Sequence, residues 1–214
     1  MNFSKLHITA ISRTSIILAL TCLLFACATP AMHQQFDFGN MSIATDKNSA
    51  NKLNILLAEI QVPASLEGAA MLYRLQYENA QELRPYAQSR WSMPPAQLLK
   101  QRIKTHINQR GGAVLTAGDG VRNLPLLRLE LEEFSQNFSS STQSQVQLRW
   151  RASLINNNQL IAQKVFQAQA QCDSADAKGG AKAMPQASDI AIAELIVWLQ
   201  TQVTSNAVSN SVRN

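Results

Sequence analysis

Cysteine and histidine are scarce in this 214-residue chain, which contains three of each. Two cysteines, Cys22 and Cys27, lie near the start, so only Cys172 remains in the body of the chain. An intramolecular disulfide in the body is therefore excluded. A lone thiol in an exported protein is either buried or paired with another chain, and burial is the simpler expectation. His33 and His106 share no metal-ligand spacing with Cys172, so no metal site built from these residues is expected.

The usual catalytic signatures are also missing. The sequence contains no GxSxG, HExxH or P-loop motif. Glu130, Glu132 and Glu133 alternate with leucines, and cross-strand ion pairs with Arg149 and Arg151 explain them without catalysis. His106 is expected on the surface of a helix rather than as a base. The chain is therefore predicted not to be an enzyme and to need no cofactor.

Charge of one sign is not in large excess. The whole chain has 19 basic and 14 acidic residues, and without residues 1–26 it has 17 basic residues and a net charge of +3. This excess is too small and too scattered to favour nucleic acid as a partner.

The apolar run near the start is short. Residues 16–26 contain Thr21 as their single polar member, and Lys5 and Arg13 precede them without any acidic residue. As a helix, eleven residues span about half of a ~30 Å hydrocarbon core. The pattern is typical of a signal peptide rather than a membrane-spanning helix.

The run ends in Leu24-Phe25-Ala26-Cys27, which resembles the bacterial lipobox. In that motif the cysteine is acylated and becomes the first residue of the mature chain. Cys27 is therefore the predicted lipidation site, and its covalent acyl lipid is the only attached group expected. The alternative is an ordinary signal peptide cleaved near Ala28. The predicted organisation is a signal peptide (1–26), a lipidated tether (27–52) with one early strand at the FDF of residues 36–38, a folded domain (53–204) and a flexible tail (205–214).

Hydrophobic periodicity predicts an α+β fold for the domain. Strand patterns cover residues 53–62, 71–78 and 113–116, followed by three amphipathic antiparallel strands at 126–134, 146–154 and 160–170. A polar loop or protruding hairpin tip is predicted at 135–145, a turn at Asn156 to Asn158 and a linker at 173–184. A helix begins at Pro94-Pro95 and ends before Gly111-Gly112. Together these elements predict a two-layer sandwich, a mostly antiparallel sheet with two main helices on one face.

The last helix is predicted to begin with Ser188 as its cap and Asp189 in its first turn. Its apolar stripe consists of Ile192, Leu195, Ile196, Leu199 and Val203. Trp198, with Ile190 and Val197, widens this face. The helix is therefore either pressed onto the sheet or shares a surface with another chain.

The segment before the first helix is rich in residues that anchor binding surfaces. Tyr86, Arg90 and Trp91 precede Pro94 and Pro95. Packing of these rings under the helix is the alternative explanation. The candidate partner-contact residues are these five and Trp198.

The sequence resembles the ABC-type transport auxiliary lipoproteins. The resemblance rests on the lipobox and on a series of features in this order: LYRLQY, Tyr86, Arg90-Trp91, the double proline, LRLELEEF, the strand with Trp150 and the closing VWL. Paraquat-inducible lipoproteins of intermembrane lipid-transport systems belong to that family. The resemblance implies a non-catalytic periplasmic lipoprotein that works with MCE-domain proteins in phospholipid transport, and it suggests a homo-oligomer. Ala28 after the acylated cysteine implies delivery to the outer membrane. The alternative function is a lipid-binding or chaperone lipoprotein with its own ligand cavity.

Overall fold

The structure, a computed structural model, describes residues 33–40, 52–121 and 123–213, without the side chains of residues 117 and 206–213. Cys27 and the predicted signal peptide lie outside these residues. The chain from His33 onward forms one folded unit. Among its described residues the unit includes 33–40, which lie in the segment predicted to be a tether with one early strand.

Eight strands and two long helices make up the unit, and the predicted α+β class is confirmed. In chain order they are β1 (Gln34–Phe36), β2 (Asn54–Leu57), β3 (Ala70–Leu75), β4 (Arg84–Trp91), α1 (Pro95–Gln109), β5 (Ala113–Leu115), β6 (Leu126–Phe138), β7 (Ser144–Asn156), β8 (Gln159–Gln171) and α2 (Ala177–Arg213).

Strand β6 is the centre of a single sheet. One of its edges pairs with β7 along thirteen residues, and β7 pairs with β8, both in antiparallel register. The other edge is shared by two strands, β2 near its start and β3 near its end. Strand β5 extends the sheet beyond β2, while β4 and then β1 extend it beyond β3. The long pairings are antiparallel as predicted, whereas β2, β3, β5 and β1 add short parallel pairings that periodicity does not reveal.

A bulge between Leu131 and Glu133 changes which residues of β6 face the core. Leu127, Leu129 and Leu131 are buried before it, and Phe134 and Gln136 are buried after it. The extra residue shifts the alternation by one, so that both halves of β6 bury side chains on the same face of the sheet, opposite the buried residues of β7.

Residues 135–145 were predicted to form a polar loop or a protruding hairpin tip; the segment is a hairpin, but its tip is shorter than predicted. Most of the segment belongs to β6 and β7, and only residues 139–143 form the hairpin tip. Ser135, Gln136 and Asn137 are at most 3% exposed. Polar residues are usually exposed, so these three were expected to lie in a loop, but neighbouring elements cover their side chains.

The other hairpin turn was predicted correctly. Asn157 and Asn158 both have positive φ, 48° and 64°, between β7 and β8. Asparagine tolerates this left-handed conformation better than most residues.

Helix α1 follows the prediction closely. Pro95 occupies its first turn, and Gly111 (φ +76°) lies just beyond its end. Leu99, Ile103 and Ile107 are at most 1% exposed and pack into the core.

Helix α2 begins eleven residues earlier than Ser188, so the predicted linker and cap are wrong. The Asp176 carboxylate accepts hydrogen bonds from the backbone N–H of Gly179 at 2.7 Å and from the Ser174 hydroxyl at 2.8 Å, which makes Asp176 the cap. Ser188 is buried inside the helix and donates to the Met184 carbonyl oxygen. The helix continues through residues 205–213, for which the sequence predicted a tail.

Glycine at 179 and 180 is required by packing, not by a helix end. A Cβ on Gly180 would lie 2.2 Å from Gln136 Oε1, and one on Gly179 would lie 2.0 Å from the Ser174 carbonyl oxygen. The helix accepts two glycines and Pro185 because its apolar stripe packs against β7 and β8. Ile192, Leu195, Ile196 and Leu199 of that stripe are at most 3% exposed, as predicted.

Candidate functional site

Four regions could carry function: the segment around Trp91, a polar cluster around Gln136, a charged cluster around Asp189, and an apolar surface along β8 and α2. The segment around Trp91 is the one chosen from the sequence. It forms strand β4, which the sequence did not predict, and leads into α1.

Trp91 lies in the core rather than on the surface. It is 2% exposed, and its ring is 5.9 Å from Phe38 and 5.5 Å from Phe134, both in edge-to-face geometry. Pro95 is also buried, and Pro94 is half-buried. Arg90 is exposed. Among the predicted contact residues of this segment, Arg90 is therefore the most accessible to a partner. Trp91 instead packs against Phe38 and so stabilises the attachment of residues 33–40 to the domain.

Gln136 is the hub of a polar cluster where the ends of several strands meet α2. Its Nε2 donates to Ser144 Oγ at 2.8 Å and to the carbonyl oxygen of Asp176 at 3.1 Å. Its Oε1 accepts a hydrogen bond from the Tyr86 hydroxyl at 3.0 Å. Nε2 also lies 3.5 Å from Cys172 Sγ. A buried amide satisfied in this way joins β4, β6, β7 and the start of α2.

Two titratable members of this cluster, Tyr86 and Cys172, are held in their neutral forms. Burial raises the pKa of the Tyr86 phenol, and the nearby Tyr73, Cys172 and Asp176 add to the effect. Burial also raises the pKa of the Cys172 thiol, against opposing hydrogen bonds from Ser144 and Gln136. A nucleophilic cysteine requires the opposite shift, so this cluster supports packing rather than thiol chemistry. Cys172 is half-buried, in line with the expectation of burial.

The charged cluster joins the two helices. Arg102 on α1 donates from Nε and Nη2 to the two carboxylate oxygens of Asp189 on α2, at 2.7 and 2.6 Å. His106 Nε2 lies 2.7 Å from Asp189 Oδ1. Although burial opposes it, hydrogen bonding and charge from Arg102 and His106 hold the pKa of Asp189 below its usual value.

His106 was expected on the helix surface, and this expectation is wrong, since it is 3% exposed. Arg110 Nη1 lies 3.1 Å from its Nδ1. A guanidinium only donates, so Nδ1 accepts from Arg110, while Nε2 faces the Asp189 carboxylate. The histidine therefore bridges Asp189 and Arg110. Both ring nitrogens have partners, which leaves neither free to act as a base.

The predicted ion pairs on the open face of the sheet are confirmed. Arg151 contacts Glu130 at 3.3 Å and Glu132 at 2.7 Å, and Arg149 contacts Glu132 at 2.8 Å. Glu133 instead pairs with Arg74 of β3 at 3.2 Å. These carboxylates have structural partners.

An uncovered apolar surface lies along β8 and the adjacent side of α2. We call it the β8–α2 surface and define it by Leu160, Lys164, Val165, Glu194, Val197 and Trp198. Leu160, Val165 and Val197 are 61%, 49% and 64% exposed. A groove of about 520 Å³ lies between Lys164 and the helix, with Val197 and Trp198 in its walls. The Trp198 ring also contacts Phe166, at 5.7 Å.

Sequence reasoning found only Trp198 of this surface. Val197 was interpreted as widening the apolar face of the helix, and nothing in the pattern of β8 shows that it is an edge strand. Gln136 and Asp189 were missed because an isolated polar residue has no periodic signal.

Three further observations bear on function. No group of three or more His, Cys, Asp or Glu side chains within the described residues is arranged to hold a metal ion. No helix in that part of the chain is both long enough and apolar enough to cross a membrane. A small cavity beside Trp91 and Gln136 has a volume of about 10 Å³, room for one water molecule and not for an acyl chain.

Comparison with known families identifies the chain. The family model described as the ABC-type transport auxiliary lipoprotein component matches residues 40–195, and the chain belongs to this family. The match includes α1, α2 up to residue 195 and every strand except β1. No match was found among curated proteins.

Two solved structures show the same fold at low sequence identity. Protein XCC0632 from Xanthomonas campestris is 16% identical, with a TM-score of 0.66 over 82% of this chain and 96% of its own. A second, uncharacterized protein is 15% identical, with a TM-score of 0.61 over 77% of this chain and 96% of its own. At these identities the likeness shows the fold alone.

Proposed function

We propose that this member of the ABC-type transport auxiliary lipoprotein family is a non-catalytic subunit, anchored in the outer membrane through Cys27, that docks on an MCE-domain protein and couples it to that membrane in phospholipid transport. Family membership supports the auxiliary role. The acyl anchor and outer-membrane delivery rest on the lipobox and on Ala28.

The uncovered β8–α2 surface is the structural observation that carries the proposal. Val197 and Leu160 are more than 60% exposed in a domain whose other large aliphatic side chains are mostly buried. Elsewhere, the side chains with catalytic potential have structural partners: His106 bridges Asp189 and Arg110, and Cys172 is kept as a thiol. This combination suits a protein that works by contact.

The start of the folded unit adds a geometric constraint. Only residues 28–32 separate Cys27 from His33, and six extended residues reach at most about 20 Å. Strand β1 pairs with β4 immediately afterwards, from Gln34 opposite Ser89. An acylated Cys27 therefore keeps this domain next to the membrane, and the partner has to approach the membrane surface to meet it.

Co-isolation tests the proposal. The full-length acylated protein, extracted in mild detergent, is expected to carry an MCE-domain protein identified by mass spectrometry. Deletion of the lipoprotein is expected to sensitise cells to membrane-perturbing detergents. Recovery of unrelated outer-membrane proteins alone, with unchanged sensitivity, would contradict the proposal.

A further inference from the structure

The backbone edge of β8 is the longest unpaired edge among the described strands. Strand β8 has thirteen residues and β7 is its one partner there, whereas the other outer strands, β1 and β5, have three residues each. A thirteen-residue edge presents backbone N–H and C=O groups over about 40 Å. These groups are complementary to another extended strand.

Two side chains beside this edge, Val197 and Leu160, are the most exposed large apolar ones among the described residues. Along β8 they project alternately to the two faces of the sheet, with Lys164 and Phe166 on the side of α2 and Val165 on the other. Val197 and Trp198 on α2 form the far wall of the groove on the first side. An added strand would place alternate side chains into this groove and the others beside Val165.

Lys164 gives the edge a charge preference. It is the single charged residue of β8, and its Nζ lies 5.0 Å from the centre of the Phe166 ring. No carboxylate lies within ion-pairing distance of it among the residues that the structure describes. Antiparallel pairing of two β8 strands centred on Val165 would bring two Lys164 ammonium groups to diagonal positions on one face, which is unfavourable. A strand with an acidic residue opposite Lys164 would be attracted.

We propose that the β8 edge binds an extended segment of the transporter partner as an additional β-strand, with apolar side chains at alternate positions contacting Val197 and Trp198 and an acidic side chain opposite Lys164. This inference rests on the proposed function, because it takes the partner to be the transporter subunit. To the proposed function it adds three details: the surface that binds the partner, the extended conformation of the bound segment, and the pattern of side chains in that segment.

The test uses the full-length protein with three substitutions. Lys164→Glu reverses the charge at the edge, and Val197→Asp introduces a charge into the groove. Lys104→Glu is the matched control, since Lys104 is an exposed lysine of α1, away from β8. We expect the first two to weaken co-isolation of the transporter subunit about tenfold or more and the control to change it less than about twofold. Unchanged circular dichroism and unfolding midpoints would show that all three fold.

Hydrogen exchange distinguishes an added strand from other modes of binding. Overlapping synthetic peptides that cover the periplasmic part of the co-isolated subunit serve as the probe. A bound strand should slow exchange at alternate amides of β8, whereas a helix in the groove should leave them unchanged.

The outcomes separate this inference from the proposed function. Co-isolation that survives Lys164→Glu and Val197→Asp, or peptide protection confined to other elements, overturns the inference and leaves the auxiliary role intact. Crosslinks from a photoreactive residue at Gln167 to a second copy of this chain would also overturn it. Failure to co-isolate any MCE-domain protein with the unsubstituted lipoprotein would overturn both.

Discussion

Arg102 on α1 and Asp189 on α2 form a two-point ion pair between residues 87 positions apart, with donor–acceptor distances of 2.7 and 2.6 Å. The Arg102 side chain is 9% exposed and that of Asp189 33%. Together with His106, the pair fixes how the two helices meet.

Loss of the Asp189 carboxylate should destabilise the domain. Asp189→Leu would leave Arg102 and His106 without their acceptor, and we expect a loss of about 1–3 kcal/mol in the free energy of unfolding. The range is below that of a fully buried pair because Asp189 is partly exposed. Urea unfolding measures it. As a control, Asp173→Asn breaks the exposed pair with Lys182 and should change stability by less than about 0.5 kcal/mol.

A double-mutant cycle isolates the pair itself. Arg102→Met combined with Asp189→Leu should cost less than the sum of the two single changes, since the double variant leaves no unpaired charge at that position. Additive losses would show that the two side chains are not coupled.

The Asp189 carboxylate should also make the free energy of unfolding depend on pH in the acidic range. The pKa of Asp189 lies below its ordinary value of 3.8 in the folded protein, so around pH 4 the unfolded chain binds more protons. The stabilisation is thus present above about pH 4 and is lost as the pH falls through the folded pKa. Unfolding free energies measured from pH 6 to pH 3 should fall less steeply for Asp189→Asn than for the unsubstituted protein. Parallel curves would contradict this.

Gly179→Ala should destabilise α2 although alanine normally favours a helix by about 1 kcal/mol over glycine. The new Cβ would lie 2.0 Å from the Ser174 carbonyl oxygen, a backbone atom that cannot move alone. We expect a loss of about 1–3 kcal/mol in thermal or urea unfolding. Gly68→Ala is the matched control, because a Cβ there meets nothing within 4 Å.

The Cys172 thiol should react slowly in the native protein. Burial raises its pKa, so at pH 8 a smaller fraction is thiolate than in an unfolded chain. Iodoacetamide labelling of the mature domain should be about tenfold slower or more in buffer than in urea. Equal rates would show that the thiol is neither buried nor shifted.

Replacing Cys27 should change location and leave the fold intact. Cys27→Ser removes the predicted acylation site, while all described elements begin after His33. We expect the protein either to remain uncleaved at the inner membrane or to become a soluble periplasmic species, with activity lost through lower local concentration. Palmitate labelling with membrane fractionation measures this. A Cys27→Ser protein that still takes up label and sediments with the outer membrane would falsify the assignment.

Local periodicity was sufficient to predict most of the regular elements of the domain, but not β4 or the first eleven residues of α2. The alternation of Leu127, Leu129 and Leu131 with charged residues predicted β6, and the fourfold spacing of Leu99, Ile103 and Ile107 predicted α1. These patterns are informative because each element buries one face, and the buried face has the period of its own backbone. The Asn157-Asn158 turn and the α+β class follow from equally local chemistry.

Tertiary contacts decided the features that local patterns do not contain. Gly179 and Gly180 are typical of a linker, yet they lie inside α2, where Ser174 and Gln136 leave no room for a Cβ. Gln136 and His106 have the polarity of surface residues, but they are buried because partners distant in sequence satisfy their hydrogen bonds. The unpaired edge of β8 is likewise a property of strand order. The sequence by itself determined where most of the helices and strands form, because that depends on neighbouring residues. Only the tertiary structure decided which polar groups are buried and which edge stays open, because both depend on elements that meet in space.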